Sequence, residues 1–303
     1  MTKLYLITGF LGAGKTTFIS YFTGLFADRK IALVINEFGQ VGVDGTLLRD
    51  LNAELTEISG GSIFCACKLE QFEKAVRHIM DVNRPELIFV EASGLADPTA
   101  VRDVFRPGIF ADLEYAGAIC IVDAVRFHKV YQTARVCRKQ LAVSDLVLIN
   151  KTDLAARDQT DEITAIALAQ KPDRPVYETT YGRFDIDWLA EMKRPQESGS
   201  SAEGGIQDIN LQKLTLSVHG FTRKSLEAFL RMFADETYRI KGFVELEERI
   251  WIVDCVGPIV EVRPFAGKAS DVGKLTVLFG HGLHAGKYIR EAIPLFPECE
   301  VIV

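Results

Sequence analysis

The sequence predicts an α/β protein, with a doubly wound, mostly parallel sheet followed by a smaller α+β C-terminal domain. Three observations carry that prediction. Short apolar runs rich in strand formers recur through residues 1–192, separated by segments with helical apolar spacing. The first of these runs leads directly into a glycine-rich loop that leads directly into a helix-like segment. Residues 193–210 contain Ser198-Gly199-Ser200-Ser201 and Gly204-Gly205 with almost no apolar content, and the pattern changes beyond them. The expected division is therefore residues 1–192, a flexible linker at 193–210, and a second domain at 211–303.

Lys3–Thr8 reads as a buried parallel strand. It runs into Gly9-Phe10-Leu11-Gly12-Ala13-Gly14-Lys15-Thr16, which matches the phosphate-binding pattern G-x-x-x-x-G-K-[ST] at every fixed position. Thr17–Phe22 continues without a breaker as a helix. Strand, glycine loop and helix together aim backbone N–H groups and a helix N-terminus at phosphate. Gly9, Gly12, Ala13, Gly14 and Thr17 are thus expected to wrap the phosphates. Lys15 is expected to reach the β- and γ-phosphates, and the Thr16 hydroxyl to bind Mg²⁺. The chain is expected to bind a nucleoside triphosphate.

Ile31–Ile35 is a second buried strand, and the polar loop after it carries Glu37 and Asp44. A loop at a strand's C-terminal end is where open α/β sheets bind ligands, so Glu37 and Asp44 are candidates for a switch sensing Mg²⁺ or the γ-phosphate. A solvated polar loop is the plainer alternative. Cys65 and Cys67 follow, just ahead of a helix expected from about Lys68, on which Leu69, Phe72, Val76, Ile79 and Met80 recur at helical spacing. Thiols beside a helix N-terminus favour the thiolate and suit a soft metal ion. A tetrahedral zinc site needs further ligands from elsewhere, and free cysteines also serve as core residues, so both readings stay open.

Pro85–Val90 is the third strand. It ends in Glu91, with Gly94 three residues on. That spacing fits a second phosphate-sensing element, with Glu91 acting on the attacking water or the Mg²⁺ shell and the Gly94 N–H facing the γ-phosphate. Ala116–Val122 is the fourth strand and ends in Asp123. Asp145–Ile149 is the fifth, and its end carries Asn150-Lys151-Thr152-Asp153, about 135 residues after the glycine loop. A fixed carboxylate at Asp153 accepts from guanine N1–H and the 2-amino group, a donor pair adenine lacks. Asn150 is expected to brace the loop near the base, and Lys151 to pack along the nucleotide. Pro175–Tyr177 reads as a sixth strand, and Thr179–Gly182 as a loop closing over the base edge.

Beyond the linker, strands are expected at Leu211–Val218, Tyr238–Leu246, Arg249–Cys255, Ile259–Val262 and Lys274–Phe279. Helices are expected near Arg223–Phe233 and Ala285–Leu295. His281 and His284, in a glycine-flanked turn, fit a capping or solvent role better than a metal site.

The 303 residues are 48% hydrophobic and 25% charged, an ordinary balance for a folded protein, with a net charge of −6 that disfavours a nucleic-acid surface. No apolar run approaches the ~18 residues of a membrane span, and the first strand begins where a leader peptide would lie. Six scattered cysteines fit a reducing compartment. A cytoplasmic location is expected, with no membrane and no nucleic-acid partner.

Taken in order, these motifs resemble the CobW-like family of P-loop GTPases, relatives of the maturation GTPases for hydrogenase and urease. The resemblance runs through Ile7–Thr17, Asn36–Asp44, Gly60–Cys67, Glu91–Pro98, Asn150–Asp153 and Arg239–Phe243. It implies GTP hydrolysis, GTP and Mg²⁺ as ligands, and delivery of Zn²⁺ or Co²⁺ to a client metalloprotein or cofactor-dependent enzyme; hydrolysis is expected to be slow without a partner, since no arginine finger is evident in the sequence. One departure stands out. The family hallmark is Gly-Cys-x-Cys-Cys, whereas this chain has Gly61-Ser62-Ile63-Phe64-Cys65 and places a further thiol at Cys67. The leading expectation is a GTPase metallochaperone or maturation factor whose nucleotide state is coupled to the Cys65–Cys67 loop. The alternative is a GTP switch that protects or loads an organic cofactor, such as a corrinoid, with no metal site of its own. A small-molecule kinase fits less well, because the guanine-selecting motif suits a regulatory GTPase.

Overall fold

A computed structural model of the chain describes residues 1–37, 54–59, 66–96, 98, 112–192, 211–267, 269, 271–280, 283–297 and 300–302. The chain divides into two compact units, Met1–Tyr131 with Arg135–Asp208, and Ile209–Val303 with Gln132–Ala134. The segment expected as a linker, 193–210, lies outside the described residues.

In the first unit the elements run β1 (Thr2–Thr8), α1 (Lys15–Gly24), β2 (Ile31–Glu37), β3 (Glu54–Ser59), α2 (Ala66–Val82), β4 (Leu87–Glu91) and β5 (Leu113–Asp123). They continue as α3 (Phe127–Thr133), α4 (Arg135–Val143), β6 (Leu146–Asn150), α5 (Arg157–Gln170), β7 (Val176–Glu178) and α6 (Trp188–Glu191). The seven strands form one sheet in the order β3-β2-β4-β1-β5-β6-β7. Every pairing in it is parallel.

Alternation along β1 shows why its sequence is almost wholly apolar. Tyr5 and Ile7 face one layer, with Phe18 and Phe22 of α1, while Leu4 and Leu6 face the other, with Phe72, Val76 and Ile79 of α2. The α1 face is an aromatic cluster: Phe22 lies 4.9 Å from the rings of Phe18, Phe89 and Phe184. Phe18 and Phe22 are one helical turn apart, which holds α1 to the sheet directly behind the glycine loop.

β3 has no counterpart among the strands expected from the sequence. It pairs with β2 from Ala32↔Glu54 to Glu37↔Ser59 and forms the sheet edge. Edge strands tolerate polar residues, so Glu-Leu-Thr-Glu-Ile-Ser lacks the continuous apolar run that marks a buried strand. The helix expected from about Lys68 begins at Ala66.

The second unit holds β8 (Leu211–His219), α7 (Arg223–Arg231), β9 (Arg239–Leu246), β10 (Arg249–Val256), β11 (Ile259–Pro264), β12 (Lys274–Gly280), α8 (Ala285–Ala292) and β13 (Glu300–Ile302). Its antiparallel sheet is ordered β11-β10-β9-β12-β8-β13. Leu226, Phe229 and Leu230 of α7 and Ile289 of α8 pack with Leu216, Ile240, Val253 and Val277 on one face of that sheet. α7 starts at a capping box: Thr222 Oγ1 accepts the Ser225 N–H at 3.2 Å, and Ser225 Oγ accepts the Thr222 N–H at 3.0 Å. His284 is the N-cap of α8, where its backbone N–H donates to Glu236 Oε2 at 2.9 Å. His281 lies outside the described residues.

Candidate nucleotide site

The strand order reverses around β1. The chain leaves β1 for β2 on one side and, after β4, returns past β1 to β5 on the other. Loops after β1, β4, β5 and β6 therefore converge at the C-terminal edge, the position where such sheets bind ligands. Register fixes the neighbours: Glu91 lies beside Ile7, and Asp123 beside Asn150.

At the end of β1, Gly9, Gly12 and Gly14 have φ of 139°, 75° and 99°. The Ala13 N–H donates to Phe10 O at 3.2 Å, closing the turn. Gly14 is the left-handed N-cap of α1, and a Cβ there would sit 2.5 Å from Asn150 Nδ2. Only glycine meets both conditions. Lys15, Thr16 and Thr17 open α1. Lys15 is buried and its Nζ donates to Phe10 O at 3.3 Å, folding over its own loop; Thr16 is half-buried and Thr17 exposed. This is a cradle of N–H groups at a helix start, suited to phosphate.

The second component comes from β6. Asn150 is buried and bonds in two directions. Its Nδ2 donates to Ala13 O at 3.0 Å, and its Oδ1 accepts the Gly182 N–H at 3.0 Å. It thus joins the glycine loop to the loop after β7. Lys151 is left-handed (φ 65°), and its Nζ donates to Gly12 O and pairs with Asp123 Oδ2, both at 2.7 Å. Thr152–Leu154 form a single 3₁₀ turn that leaves Asp153 exposed. The Thr152 hydroxyl and N–H both donate to Thr179 O, at 3.1 and 3.3 Å. An exposed carboxylate on a turn anchored from both sides can meet a base with two donors on one edge.

The sequence marks Asp123 only as a strand end. In the fold it is buried, its Oδ1 accepting the Val125 and Arg126 N–H groups at 3.0 and 3.2 Å and its Oδ2 holding Lys151. The available signal was a carboxylate closing the strand next to the one that ends in Asn150.

Glu91 closes β4 as a buried carboxylate, and the Ala92 N–H donates to Ile7 O at 2.9 Å, drawing the following loop towards β1. Gly94 lies against the glycine loop, where a Cβ would stand 2.7 Å from Leu11 N. Glu37 is the last residue of β2. Cys67 lies in the first turn of α2. Asp44 and Cys65 lie outside the described residues. Among the described residues no group of three or more His, Cys, Asp or Glu side chains forms a metal cluster, and no helix is long and apolar enough to cross a membrane.

A glycine-loop cradle at a helix start on a parallel sheet, followed along β6 by an exposed acidic turn, is the arrangement of a P-loop GTPase. The chain belongs to the CobW/HypB/UreG family: it matches that family's nucleotide-binding domain over residues 3–178 and the cobalamin synthesis protein cobW C-terminal domain over residues 216–291. It is 29% identical over 235 residues to the zinc chaperone YeiR of Escherichia coli K12, covering 75% of this chain and 71% of that protein. It is 31% identical over 192 residues to the zinc chaperone YjiA of the same organism, covering 61% and 59%. With the zinc-regulated GTPase metalloprotein activator 1 of Schizosaccharomyces pombe it shares 24% identity, covering 92% of this chain and 82% of that protein.

Proposed function

We propose that this chain is a GTP-driven metallochaperone or metalloenzyme-maturation factor that handles a divalent transition metal for a client protein. The observation carrying the nucleotide half is Asn150, which opens the Asn150–Asp153 motif and whose two hydrogen bonds join the glycine loop to the loop after β7. The metal half is supported by kinship with curated zinc chaperones. In this reading Gly9, Gly12, Ala13, Gly14 and Thr17 supply backbone to the phosphates, Lys15 supplies charge to the β- and γ-phosphates, and Asn150, Lys151 and Asp153 receive the base.

Oxygen suits Mg²⁺, and the Thr16 hydroxyl at the start of α1 and the Glu91 carboxylate closing β4 are oxygen donors. Thr16 is the residue that would hold the ion, with Glu37 and Asp44 as switch residues around it. When bound, Mg²⁺ neutralises charge between the β- and γ-phosphates. Glu91 orients the attacking water, and the Gly94 N–H faces the γ-phosphate. Cys65 and Cys67 are the proposed soft-metal ligands, with Zn²⁺ or Co²⁺ as cargo.

Two experiments test the two halves separately. Asp153→Asn reverses the hydrogen-bonding sense towards the base, so GTP and GDP affinity should fall by about 10²-fold or more while affinity for the xanthine nucleotide rises. Unchanged GTP affinity would refute the assignment of Asp153. Reduced protein titrated anaerobically with Zn²⁺ and Co²⁺, with and without GTP and Mg²⁺, should show one tight site that shifts with nucleotide and vanishes in a Cys65→Ser/Cys67→Ser double variant. A chain that binds GTP but no metal in any nucleotide state would overturn the metal half and leave a GTP switch acting on an organic cofactor or a client.

A further inference from the structure

Behind the loop that follows β4 lies a buried amide that the nucleotide motifs do not account for. Gln140, on α4, is 1% exposed, and its Nε2 donates to Gly94 O at 3.1 Å and to Ala96 O at 3.3 Å. The orientation is unambiguous, because both partners are carbonyl oxygens and only the NH₂ end can face them. Gln140 Oε1 has no hydrogen-bond partner among the described residues. An apolar side chain would avoid the desolvation of this amide, so the two loop carbonyls are what the glutamine serves.

We infer that Gln140 is a positioning residue that latches the Ser93–Ala96 loop to α4 and so sets where the Gly94 N–H stands relative to the γ-phosphate. The inference rests on the nucleotide reading proposed above. The loop is confined on its other side by Leu11, whose backbone N would lie 2.7 Å from a Cβ at Gly94. Within the loop, the Ala96 N–H donates to Ser93 O at 2.9 Å. Close packing does not hold the arrangement alone, because a cavity of about 20 Å³ lies beside it, lined among others by Phe10, Leu11, Val130, Gln140 and Leu141. With space next to the contact, two directional bonds from Gln140 determine the height of the Gly94 peptide over the glycine loop. They also couple that height to α4, so a nucleotide that moves the loop moves the helix. GDP lacks the group this N–H meets. The latch therefore acts on GTP and leaves GDP alone.

The test measures affinities for GDP and for a non-hydrolysable GTP analogue, together with kcat and KM for GTP. The variants are Gln140→Met, of similar size without donors, and the gentler Gln140→Asn, whose amide is too short to reach. Val130→Ala, on the same cavity, is the packing control. Gln140→Met should weaken the GTP analogue at least 10-fold, change GDP affinity less than 2-fold, and lower kcat with little change in KM. Val130→Ala should lower the melting temperature and leave the ratio of the two affinities unchanged. In wild-type protein, hydrogen exchange should slow in residues 93–96 and 135–143 together with the GTP analogue and not with GDP, a readout independent of any variant's folding. An unchanged affinity ratio in both glutamine variants, an equal shift in Val130→Ala, or protection of one segment without the other would overturn the latch. Loss of binding to both nucleotides in the wild type would instead refute the nucleotide site itself.

Discussion

Asn150 is the position where one substitution should unseat both parts of the nucleotide site. Its side chain is buried and makes two bonds, to Ala13 O and from the Gly182 N–H, each at 3.0 Å. Both partners are themselves buried. Asn150→Ala removes two hydrogen bonds of about 1 kcal/mol each and strands a carbonyl and an N–H, each costing ~1–3 kcal/mol if no replacement partner arrives. Partial relaxation reduces the sum, giving an expected destabilisation of about 2–4 kcal/mol. Each unit holds one tryptophan: Trp188 stacks on Tyr177 at 4.1 Å in the first, and Trp251 lies in β10 of the second. Urea unfolding followed by fluorescence in a Trp251→Phe background therefore reports the nucleotide-binding unit alone. Asn150→Asp sharpens the experiment. It keeps an acceptor for Gly182 and turns an oxygen towards Ala13 O, so its damage should fall on the glycine loop, with nucleotide affinity lost beyond what the stability change predicts. A loss under about 0.5 kcal/mol in Asn150→Ala, with nucleotide affinity intact, would refute the view that this side chain integrates the site.

The remaining predictions concern thiols and the second unit. Burial pushes the Cys120 and Cys255 thiols up to about 12 and raises Cys137 as well, so peptides carrying these three should stay unlabelled by iodoacetamide at pH 8 in native protein and react once it is unfolded. Because their folded pKa values are raised, the stability they contribute is present below the unfolded thiol value near 9. It should decline as pH rises from there towards about 12, by about 1.4 kcal/mol per pH unit per titrating thiol, readable by denaturant titration. Rapid native labelling of Cys120 would contradict the burial. In the second unit, Arg239 grips Asp254 with two bonds, Nε to Oδ1 at 3.1 Å and Nη2 to Oδ2 at 3.0 Å, in a half-buried setting. Asp254→Asn should lower that unit's stability by about 1–2 kcal/mol, read through Trp251, and leave GDP affinity unchanged.

What the sequence determined by itself was whatever its chemistry requires to be contiguous. In the proposed site Gly9 to Thr16 are consecutive because successive N–H groups have to turn onto one phosphate. There too, Asn150 to Asp153 are consecutive because one turn has to face one base. The buried strands were legible for a similar reason, since a strand covered on both faces, such as Leu4–Ile7 or Leu146–Ile149, is apolar at every position. Short polar edge strands escaped. β3 carries two glutamates and pairs with β2 alone, and β13 is three residues long. The β9–β10 hairpin turns on Glu247 and Glu248, both left-handed at φ 53° and 60°, without the glycine or asparagine that usually announces such a turn.

The tertiary structure alone decided which distant groups meet. Asn150 reaches Ala13 across 137 positions, Lys151 finds Asp123 across 28, and Gln140 holds Gly94 across 46. None of these pairs has a spacing signature, because their proximity follows from strand order and register: β6 lies beside β5, β5 beside β1, and β1 beside β4. Periodicity reports the face on which a residue lies, and only the closed chain reports what stands opposite it.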